Sequence, residues 1–384
     1  MSLGRVSEDF KKTFGVSPNL EVRAPGRINL IGEHTDYNDG FVLPAAIDKV
    51  IFFCLSPRKD KEIHLKSVDL DELLTINLDS LQKTEKGWAN FLIGVVKEIQ
   101  NSGKDIQFGF NLAFGGDVPL GAGLSSSAAI ESGIGFALNK MYGLGFSKLD
   151  LALIAQKAEH NFAGVRCGIM DMYASIMGKE DQVILLDCKN LTHIYLPFNS
   201  DNLSIVLFNT GVSHNLAESE YNKRREECEA GLKILKMHYP EVSSFRDVRR
   251  PMLESHKSDF NKKVYNRCDY VIAESERMEK ATLALRNDDM ALFGELMYQT
   301  HYGLQHLYEV SCDELDFLVD LARKDRRILG SRMMGGGFGG CTINLIQKEN
   351  INEITETIIR EYAARFDIKP ESYVVKIKEG CSLV

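Results

Sequence analysis

Two glycines and three consecutive serines precede a helical pattern in PLGAGLSSSAAIE, residues 119–131. A helix start presents free backbone N–H groups and the positive end of the helix dipole, and glycines let the main chain approach phosphate oxygens closely. Serine hydroxyls can add donors, or one oxygen ligand for Mg²⁺. The lysine of a Walker A loop is absent, so backbone, dipole and metal would have to neutralise the phosphate charge. The segment indicates a phosphate site, or alternatively an ordinary helix with a serine N-cap.

A second polar cluster lies in RAPGRINLIGEHTDYNDGFVLPAAID, residues 23–48. Short charged and amide side chains surround glycines there, between two apolar pieces. Donors and acceptors in such a turn suit a polyhydroxylated ligand, because each sugar hydroxyl needs a partner and an unpaired one is costly. The alternative is a polar loop with surface carboxylates. The side chains are Arg27, Glu33, His34, Asp36, Asn38 and Asp39.

Three more segments carry candidate residues. GSRMMGGGFGGCT, residues 330–342, has five glycines in six positions, which lets the backbone pass close to another segment or a ligand, although a turn that leads into a strand would also explain it. AEHNFAGVRCGIMDMYASIMG, residues 158–178, contains Glu159 and, twelve residues later, Asp171. ESEYNKRREECE, residues 218–229, places Tyr221 at the start of a charged helix.

The elements that must position these residues form an α+β pattern, and the length of 384 residues favours two domains. Strand and helix patterns mix in the first half, and long amphipathic helices dominate the second. We place the boundary near residue 195, giving domains 1–195 and 196–384. Strands are predicted at 50–56, 62–68, 108–114, 183–188, 203–211, 341–347 and 372–380, and helices at 88–100, 125–142, 148–161, 216–237, 258–286 and 288–308.

Composition and charge argue against several classes of protein. No apolar run approaches the roughly 18 residues of a membrane span, and the N-terminus lacks a signal-peptide pattern, so we expect a cytoplasmic protein without a membrane role. The net charge of −8 opposes nucleic-acid binding. Eight scattered cysteines without a Cys-x-x-Cys pair are expected to be reduced core thiols.

Together these segments resemble the motifs of the GHMP kinases, and most closely those of the galactokinases. GRINLIGEHTDYNDGFVLPAAID is similar to the galactokinase signature, PLGAGLSSSAA to the phosphate loop, CGIMD to the catalytic-aspartate segment and MMGGGFGGCT to the C-terminal glycine motif. The motifs follow the family's order over nearly the whole chain. The resemblance implies the α+β, two-domain GHMP kinase fold, with an N-terminal ribosomal-S5-like α/β domain, a C-terminal ferredoxin-like α+β domain and the active site between them.

The resemblance also implies a role for each matching residue. Asp171 would be the base near the C1 hydroxyl of the sugar, with Arg27 as its charge partner. The sugar hydroxyls would contact Glu33, His34, Thr35, Asp36, Gly168 and Tyr221. The ATP phosphates would be wrapped by Gly121, Ala122, Gly123, Leu124, Ser125, Ser126 and Ser127, with Ser127 and Glu159 as Mg²⁺ ligands and Ser67 and Trp88 near the nucleotide.

The activity that this resemblance implies is ATP-dependent phosphorylation of the C1 hydroxyl of galactose, with ATP and Mg²⁺ as cofactors, by a monomer with small-molecule substrates. The residue types suit phosphoryl transfer, which needs alignment, charge neutralisation and an acceptor for the hydroxyl proton. An arginine beside a carboxylate favours the ionised form, which can accept that proton. Stabilisation of phosphoryl charge by Arg27 is an alternative role.

Two other functions stay open at this point. The chain could phosphorylate another sugar, such as N-acetylgalactosamine or arabinose, or it could be a non-catalytic galactose and ATP sensor. Three positions depart from the family pattern: Met172 stands where a glutamine is usual, and Ser331 and Met334 replace an alanine and a threonine. Met172 removes an amide that could orient Asp171, which puts catalytic efficiency in doubt more than reaction type.

Overall fold

The computed structural model describes residues 1–119, 121–198, 201–213 and 217–384. Helices and strands are mixed throughout these residues. The helices are α1 (Leu3–Phe14), α2 (Gly87–Asn101), α3 (Ser126–Tyr142), α4 (Lys148–Ala158), α5 (Met170–Met177), α6 (Ala217–His238), α7 (Arg250–Ser255), α8 (Lys262–Arg286), α9 (Met290–Gly303), α10 (Asp313–Lys324) and α11 (Ile351–Phe366). None of these described helices is both long and apolar enough to cross a membrane.

The strands of the described residues form three sheets. They are β1 (Leu20–Asn29), β2 (Phe41–Val42), β3 (Pro44–Pro57), β4 (Glu62–Ser67), β5 (Glu72–Asn77), β6 (Phe110–Gly116), β7 (Gln182–Asp187), β8 (Thr192–Pro197), β9 (Leu203–Ser213), β10 (Ile328–Met333), β11 (Gly339–Gln347), β12 (Glu371–Val375) and β13 (Ser382–Leu383). The strand orders are β13-β1-β3-β6-β4-β5, β10-β11-β9-β12 and β2-β7-β8. Only β4 and β6 pair in parallel within these sheets.

Each strand and helix that the sequence predicts overlaps an observed element of the same type. The predicted strand 372–380 is shorter than expected, since β12 ends at Val375. Helix 148–161 changes from α to π geometry after Ala158, and helix 288–308 does so after Gly303. The elements that the sequence did not predict include α1, α10 and α11, together with β1, β5, β8 and β10.

Residues 121–127, called the serine turn from here on, lead into helix α3, which is the central helix of the first half. Residues 128–138 of this helix are all buried, and the helix contacts β1, β3, α2, α4 and α5. It lies close against the first sheet at Gly133, where an added Cβ would come within 2.2 Å of the Phe53 ring. This close packing fixes the position of the serine turn relative to the sheet.

The chain returns to the first sheet at its C-terminal end. After β12, the backbone N–H of Lys378 donates to the carbonyl of Ala46, and β13 pairs with β1. The predicted boundary near residue 195 falls inside β8, eight residues before the second sheet begins with β9 at Leu203. The division into 1–195 and 196–384 stays a prediction.

Candidate active site

One cavity of about 290 Å³ brings together residues from all the glycine and polar motifs. The serine turn, the loop after β1 and the start of α5 line it from the first half. Tyr221 on α6 and Gly335–Gly336 line it from the second half. The predicted site residues in the lining are Arg27, Glu33, His34, Asp36, Gly121, Gly123, Leu124, Ser125, Ser126, Ser127, Glu159, Gly168, Asp171 and Tyr221.

Asp171 and Arg27 form a two-pronged ion pair at the centre of this lining. Arg27 Nε donates to Asp171 Oδ1 at 2.7 Å, and Arg27 Nη2 donates to Oδ2 at 2.8 Å. The hydroxyl of Ser125 also donates to Oδ2. The Arg27 side chain is 4% exposed and that of Asp171 is 23% exposed, so the carboxylate is the member of the pair that a ligand can reach.

The serine turn has the geometry of an anion site. Ser125 is the residue before α3 and adopts the left-handed conformation (φ 55°), and its side chain makes no capping hydrogen bond. Its hydroxyl is directed at Asp171 instead, so the N–H groups of the first turn have no serine cap and remain available to a ligand. Gly123 (φ 71°) continues the turn and accepts from Arg27 Nη1 through its carbonyl at 2.5 Å. Leu120, in the same motif, lies outside the described residues.

Glu33 is buried and is held by both halves of the chain. Its Oε2 accepts from Asn29 Nδ2 and from Arg332 Nη2, each at 2.8 Å. Its Oε1 accepts from the backbone N–H of Gly335 at 3.0 Å. Arg332 and Gly335 belong to the glycine-rich third motif, so this motif neutralises and orients Glu33 rather than only turning the chain.

Asp36 and Gly168 are in direct contact across the cavity. A Cβ at residue 168 would lie 1.8 Å from Asp36 Oδ2, so only glycine fits there. Burial, and then the charge of Asp171, raise the pKa of Asp36 to about 7. The carboxyl group therefore titrates near neutral pH, where it can accept or donate a hydrogen bond.

His34 lines the cavity, and its ring contacts the rings of Tyr37, Tyr221 and Tyr308. Burial, and then the charge of Arg224, lower the pKa of His34 to about 3, so the ring is neutral at neutral pH. Its Nδ1 contacts the Tyr37 hydroxyl at 2.7 Å. Nε2 is buried and has no hydrogen-bond partner among the described residues. A ligand in the cavity can supply that partner.

Thr35 and Ala122 are predicted site residues that lie outside the cavity lining. The Thr35 hydroxyl donates to the carbonyls of Gly32 and Phe41, both at 2.8 Å, and the residue is fully buried outside the lining. These hydrogen bonds fix the loop, and the predicted contact of Thr35 with the sugar stays a prediction. Ala122 is also fully buried and packs near Gly340, so it supports the serine turn from behind.

Ser67 and Trp88 lie outside the lining, on the β4–β5 hairpin and the start of α2. Ser67 pairs with Glu72 across the hairpin, and Trp88 Nε1 donates to Glu72 Oε2 at 2.9 Å. The structure therefore brings the two residues to a common neighbour. Their role near the nucleotide stays a prediction.

The predicted metal ligands share the cavity and offer the oxygen atoms that Mg²⁺ prefers. Ser127 is on the first turn of α3, and Glu159 follows α4. Sequence reasoning missed Glu131, which lies one turn after Ser127 and is fully buried. Burial, and then the charge of Glu159, raise the pKa of Glu131 well above its usual range. Glu131 is therefore protonated and neutral at neutral pH, and Ser127 and Glu159 are the residues that offer oxygen ligands to a divalent cation.

Among the described residues, one cluster outside the cavity has three side chains of metal-binding type: His238, His256 and Asp259. His238 Nε2 lies 2.8 Å from Asp259 Oδ2. The two imidazole rings are stacked, with centroids 3.7 Å apart and planes 15° apart. In-plane lone pairs of stacked rings run in separate planes, so they do not converge on one ion. The cluster is a close contact between a histidine and an aspartate, supported by ring stacking.

The three positions that depart from the family pattern are buried. Met172 packs in the core beside the cavity, and Met334 accepts from the backbone N–H of Asn29 through its sulfur at 3.4 Å. The Ser331 hydroxyl has no hydrogen-bond partner among the described residues. None of the three changes breaks the contact between Arg27 and Asp171.

Three family models match the chain. The galactokinase galactose-binding signature matches residues 8–57, the GHMP kinases N terminal domain matches residues 90–179, and the GHMP kinases C terminal model matches residues 281–364. The first of these covers the loop with Glu33, His34 and Asp36, and the second covers the serine turn and Asp171.

Known proteins resemble the chain over its full length. A galactokinase of Thermosipho africanus is 41% identical over 95% of this chain and 100% of the relative. A galactokinase of Roseiflexus is 35% identical over 100% of this chain and 98% of the relative. The crystal structure of Lactococcus lactis galactokinase complexed with galactose is 32% identical, covers 100% of both chains and has a TM-score of 0.95. A Methanococcus jannaschii mevalonate kinase, 17% identical over 94% of this chain and 98% of its own, shares the fold with a TM-score of 0.66.

Proposed function

The chain belongs to the galactokinase family of the GHMP kinases and is a sugar kinase, and from this membership we propose how its cavity transfers a phosphoryl group. The substrates are ATP and galactose, and the products are ADP and galactose 1-phosphate. The acceptor is the C1 hydroxyl of galactose. The observation that carries the mechanism is that the Arg27–Asp171 pair, to which Ser125 is hydrogen-bonded, lines one cavity together with the serine turn and the loop with Glu33, His34 and Asp36.

Asp171 is the proposed acceptor for the proton of the C1 hydroxyl. Its two oxygens are already oriented by Arg27 and Ser125, so it can accept this hydrogen without reorganising. Arg27 keeps a positive charge beside the reacting oxygen. Because the transition state of phosphoryl transfer is loose and anionic, positioning and charge supply most of the catalysis, and the proton leaves late.

The serine turn is the proposed cradle for the ATP phosphates. The free N–H groups at the start of α3 and the helix dipole provide the positive potential that a Walker A lysine provides elsewhere. Ser127 and Glu159 would hold Mg²⁺. Bound there, the ion would offset the negative charge of the phosphates. Ser125 serves both sites, since it begins the turn and contacts Asp171.

The sugar is the proposed ligand of the opposite end of the cavity. Glu33, Asp36 and His34 provide two carboxyl groups and one imidazole nitrogen at one surface, and Tyr221 adds an aromatic face. Gly168 leaves the room that Asp36 needs. An aromatic face with nearby carboxyl groups suits a sugar, which has both C–H and O–H surfaces.

The test combines a sugar panel with one substitution. In a coupled assay of ADP release, galactose should be phosphorylated with a higher kcat/KM than N-acetylgalactosamine, arabinose or glucose. Asp171→Asn should lower kcat by roughly 10²–10⁴-fold, since the amide cannot take the proton, while galactose binding by calorimetry stays within a few fold.

Near-normal kcat in Asp171→Asn would remove Asp171 from the proposed role. Preference for another sugar on the panel would favour the alternative kinase specificity, and galactose binding without ADP release would favour the sensor. A monomeric state, a cytoplasmic location and the absence of nucleic-acid partners belong to this proposal as predictions. Gel filtration with light scattering tests the first of them.

A further inference from the structure

A chain of hydrogen bonds runs from the sugar side of the cavity into the second half of the protein. His34 Nδ1 lies 2.7 Å from the Tyr37 hydroxyl, which lies 2.9 Å from the Tyr308 hydroxyl. The Tyr308 hydroxyl lies 3.1 Å from Cys228 Sγ. Tyr308 and Cys228 are fully buried, so water does not compete for these contacts along the inner part of the chain.

The imidazole at the end of this chain carries one hydrogen, because His34 is neutral. Burial lowers its pKa to about 3, and the charged groups that face it, Arg224 and Arg332, act in the same direction. The hydrogen can lie on Nδ1 or on Nε2. Which nitrogen carries it decides whether Nε2 donates or accepts.

Hydrogen counting favours one direction for the chain. If the Cys228 thiol donates to Tyr308, Tyr308 donates to Tyr37 and Tyr37 donates to Nδ1, three hydrogens fill three contacts. The imidazole nitrogen, the strongest acceptor in the set, then accepts. In the opposite direction Nδ1 donates and the chain ends on the sulfur of Cys228, which is a weak acceptor. Because a thiol is also a weak donor, the sulfur does not decide the direction, and the first direction is favoured because the imidazole nitrogen accepts from a phenol hydroxyl.

The lining around His34 needs a donor. Glu33, which is paired with Arg332, lines the same cavity and accepts hydrogen bonds without donating any, and Asp36 does the same in its ionised form. A sugar hydroxyl that donates to such a carboxylate still has lone pairs to satisfy. His34 lines the cavity, and its buried Nε2 makes no hydrogen bond of standard geometry among the described residues, so it can satisfy one of them.

We propose that Cys228, Tyr308 and Tyr37 act as positioning residues that hold His34 in the Nε2–H tautomer, so that His34 donates a hydrogen bond to a sugar oxygen. This inference rests on the proposed sugar kinase function and adds a determinant of sugar binding. The recognised feature is an oxygen acceptor, a hydroxyl or ring oxygen, next to a hydroxyl that donates to a carboxylate.

The test measures the tautomer and the kinetics of the same proteins. In sugar-free protein with ¹⁵N-labelled histidine, two-bond ¹H–¹⁵N spectra should show hydrogen on Nε2 and none on Nδ1 of His34. The His34→Gln variant assigns the signals. Tyr37→Phe should remove this single tautomer and raise KM for galactose about tenfold, the loss of roughly one hydrogen bond, while KM for ATP stays within about twofold.

Further variants distinguish an effect of the hydrogen-bond chain from an effect of side-chain packing. Cys228→Ser keeps a donor at the end of the hydrogen-bond chain and should leave the tautomer and KM for galactose unchanged. Cys228→Ala should lower the population of the Nε2–H tautomer and raise KM for galactose. Tyr362→Phe is the matched control, because its buried hydroxyl donates to the carbonyl of Thr210 at 2.9 Å, away from the chain. It should leave the His34 spectrum and KM for galactose unchanged.

Hydrogen on Nδ1 in the wild type would overturn the inference, and so would a Tyr37→Phe spectrum identical to that of the wild type. The two proposals fail separately. Absence of galactose phosphorylation by a protein with the Nε2–H tautomer would contradict the proposed function and leave the tautomer assignment supported. Full activity with the other tautomer would contradict only this inference.

Discussion

At the scale of single residues, Gly168 is the position where substitution has the clearest geometric consequence. A Cβ there would lie 1.8 Å from Asp36 Oδ2, a distance that no side chain tolerates. Gly168→Ala should therefore displace the Asp36 carboxyl group and raise KM for galactose about tenfold or more, with KM for ATP within about twofold. Steady-state kinetics with each substrate varied in turn measure both constants.

Gly87 provides the matched control for this substitution. It is the first residue of α2, and a Cβ there would have no atom within 4 Å. Gly87→Ala should leave both KM values unchanged. An equal rise in KM for galactose in the two variants would show that the contact with Asp36 is not the cause.

Asp36 also gives the protein a pH-dependent stability. Burial, and then the charge of Asp171, raise its pKa to about 7, whereas an aspartate in the unfolded chain titrates near about 4. The folded state therefore binds a proton that the unfolded state releases between about pH 4 and 7. This stabilising contribution is present at low pH and is lost as the pH rises through about 7.

Asp36→Asn should remove this pH dependence. The Tm of the variant minus that of the wild type should become more positive, by a few degrees, between pH 5 and pH 8. His34, whose pKa is lowered to about 3, has the opposite sign, because its contribution is lost as the pH falls below about 6.5. His34 is present in both proteins, so the difference in Tm between variant and wild type reports the contribution of Asp36. A Tm difference that is constant with pH would contradict this account.

Sequence motifs were enough to predict most of the named residues that line the cavity, but not the direction of every side chain. The lysine-free serine turn and the aspartate after Gly168 were read from local patterns. The Thr35 hydroxyl faces the main chain, and Glu33 is neutralised by Arg332, about 300 residues away in the chain. Such contacts depend on tertiary packing, which no local spacing encodes.

At the scale of elements, helix α8 in the second half positions the loop that contains Glu33, His34 and Asp36. Glu274 is fully buried and accepts from the backbone N–H of Gly32 at 2.9 Å, from Thr300 and from Arg277. Gly32 (φ 94°) makes the turn that leads to Glu33. A carboxylate from one half thus fixes a turn of the other.

Removing this carboxylate should destabilise the protein and disturb the sugar loop together. Glu274→Ala would leave the Arg277 charge and the Gly32 N–H without a buried partner, a change that typically costs about 3–5 kcal/mol. We expect a lower midpoint in urea and a higher KM for galactose. Equilibrium unfolding and kinetics at one temperature measure the two effects.

The same helix offers a control on its outer face. Glu276 pairs with Arg250 at 3.2 Å, but its side chain is 51% exposed. Glu276→Ala should change the urea midpoint little, since exposed ion pairs contribute about 0–1 kcal/mol. If Glu274→Ala changed the urea midpoint and KM for galactose as little as Glu276→Ala does, the contact of Glu274 with Gly32 would not be what holds the loop with Glu33, His34 and Asp36.

At the scale of the whole molecule, one apolar core runs through both predicted domains. Side chains alternate along β9, so Ile205 and Leu207 face this shared core while Val206 and Phe208 face a separate cluster with α11. Phe293 on α9 also belongs to the shared core. The two sheets were predictable from alternation and length, but the continuity of the core was not, because periodicity shows which face is buried and not what covers it.

This continuity predicts that the two halves unfold together. Scanning calorimetry of the wild type should give one transition, with equal calorimetric and van't Hoff enthalpies. The proposed galactose site is lined by both halves, so galactose at 100 times its Kd should stabilise the whole molecule by about 2.7 kcal/mol and shift the entire transition upward. Two separate peaks, or a shift of only part of the heat absorption, would mean that each half has a core that is stable without the other.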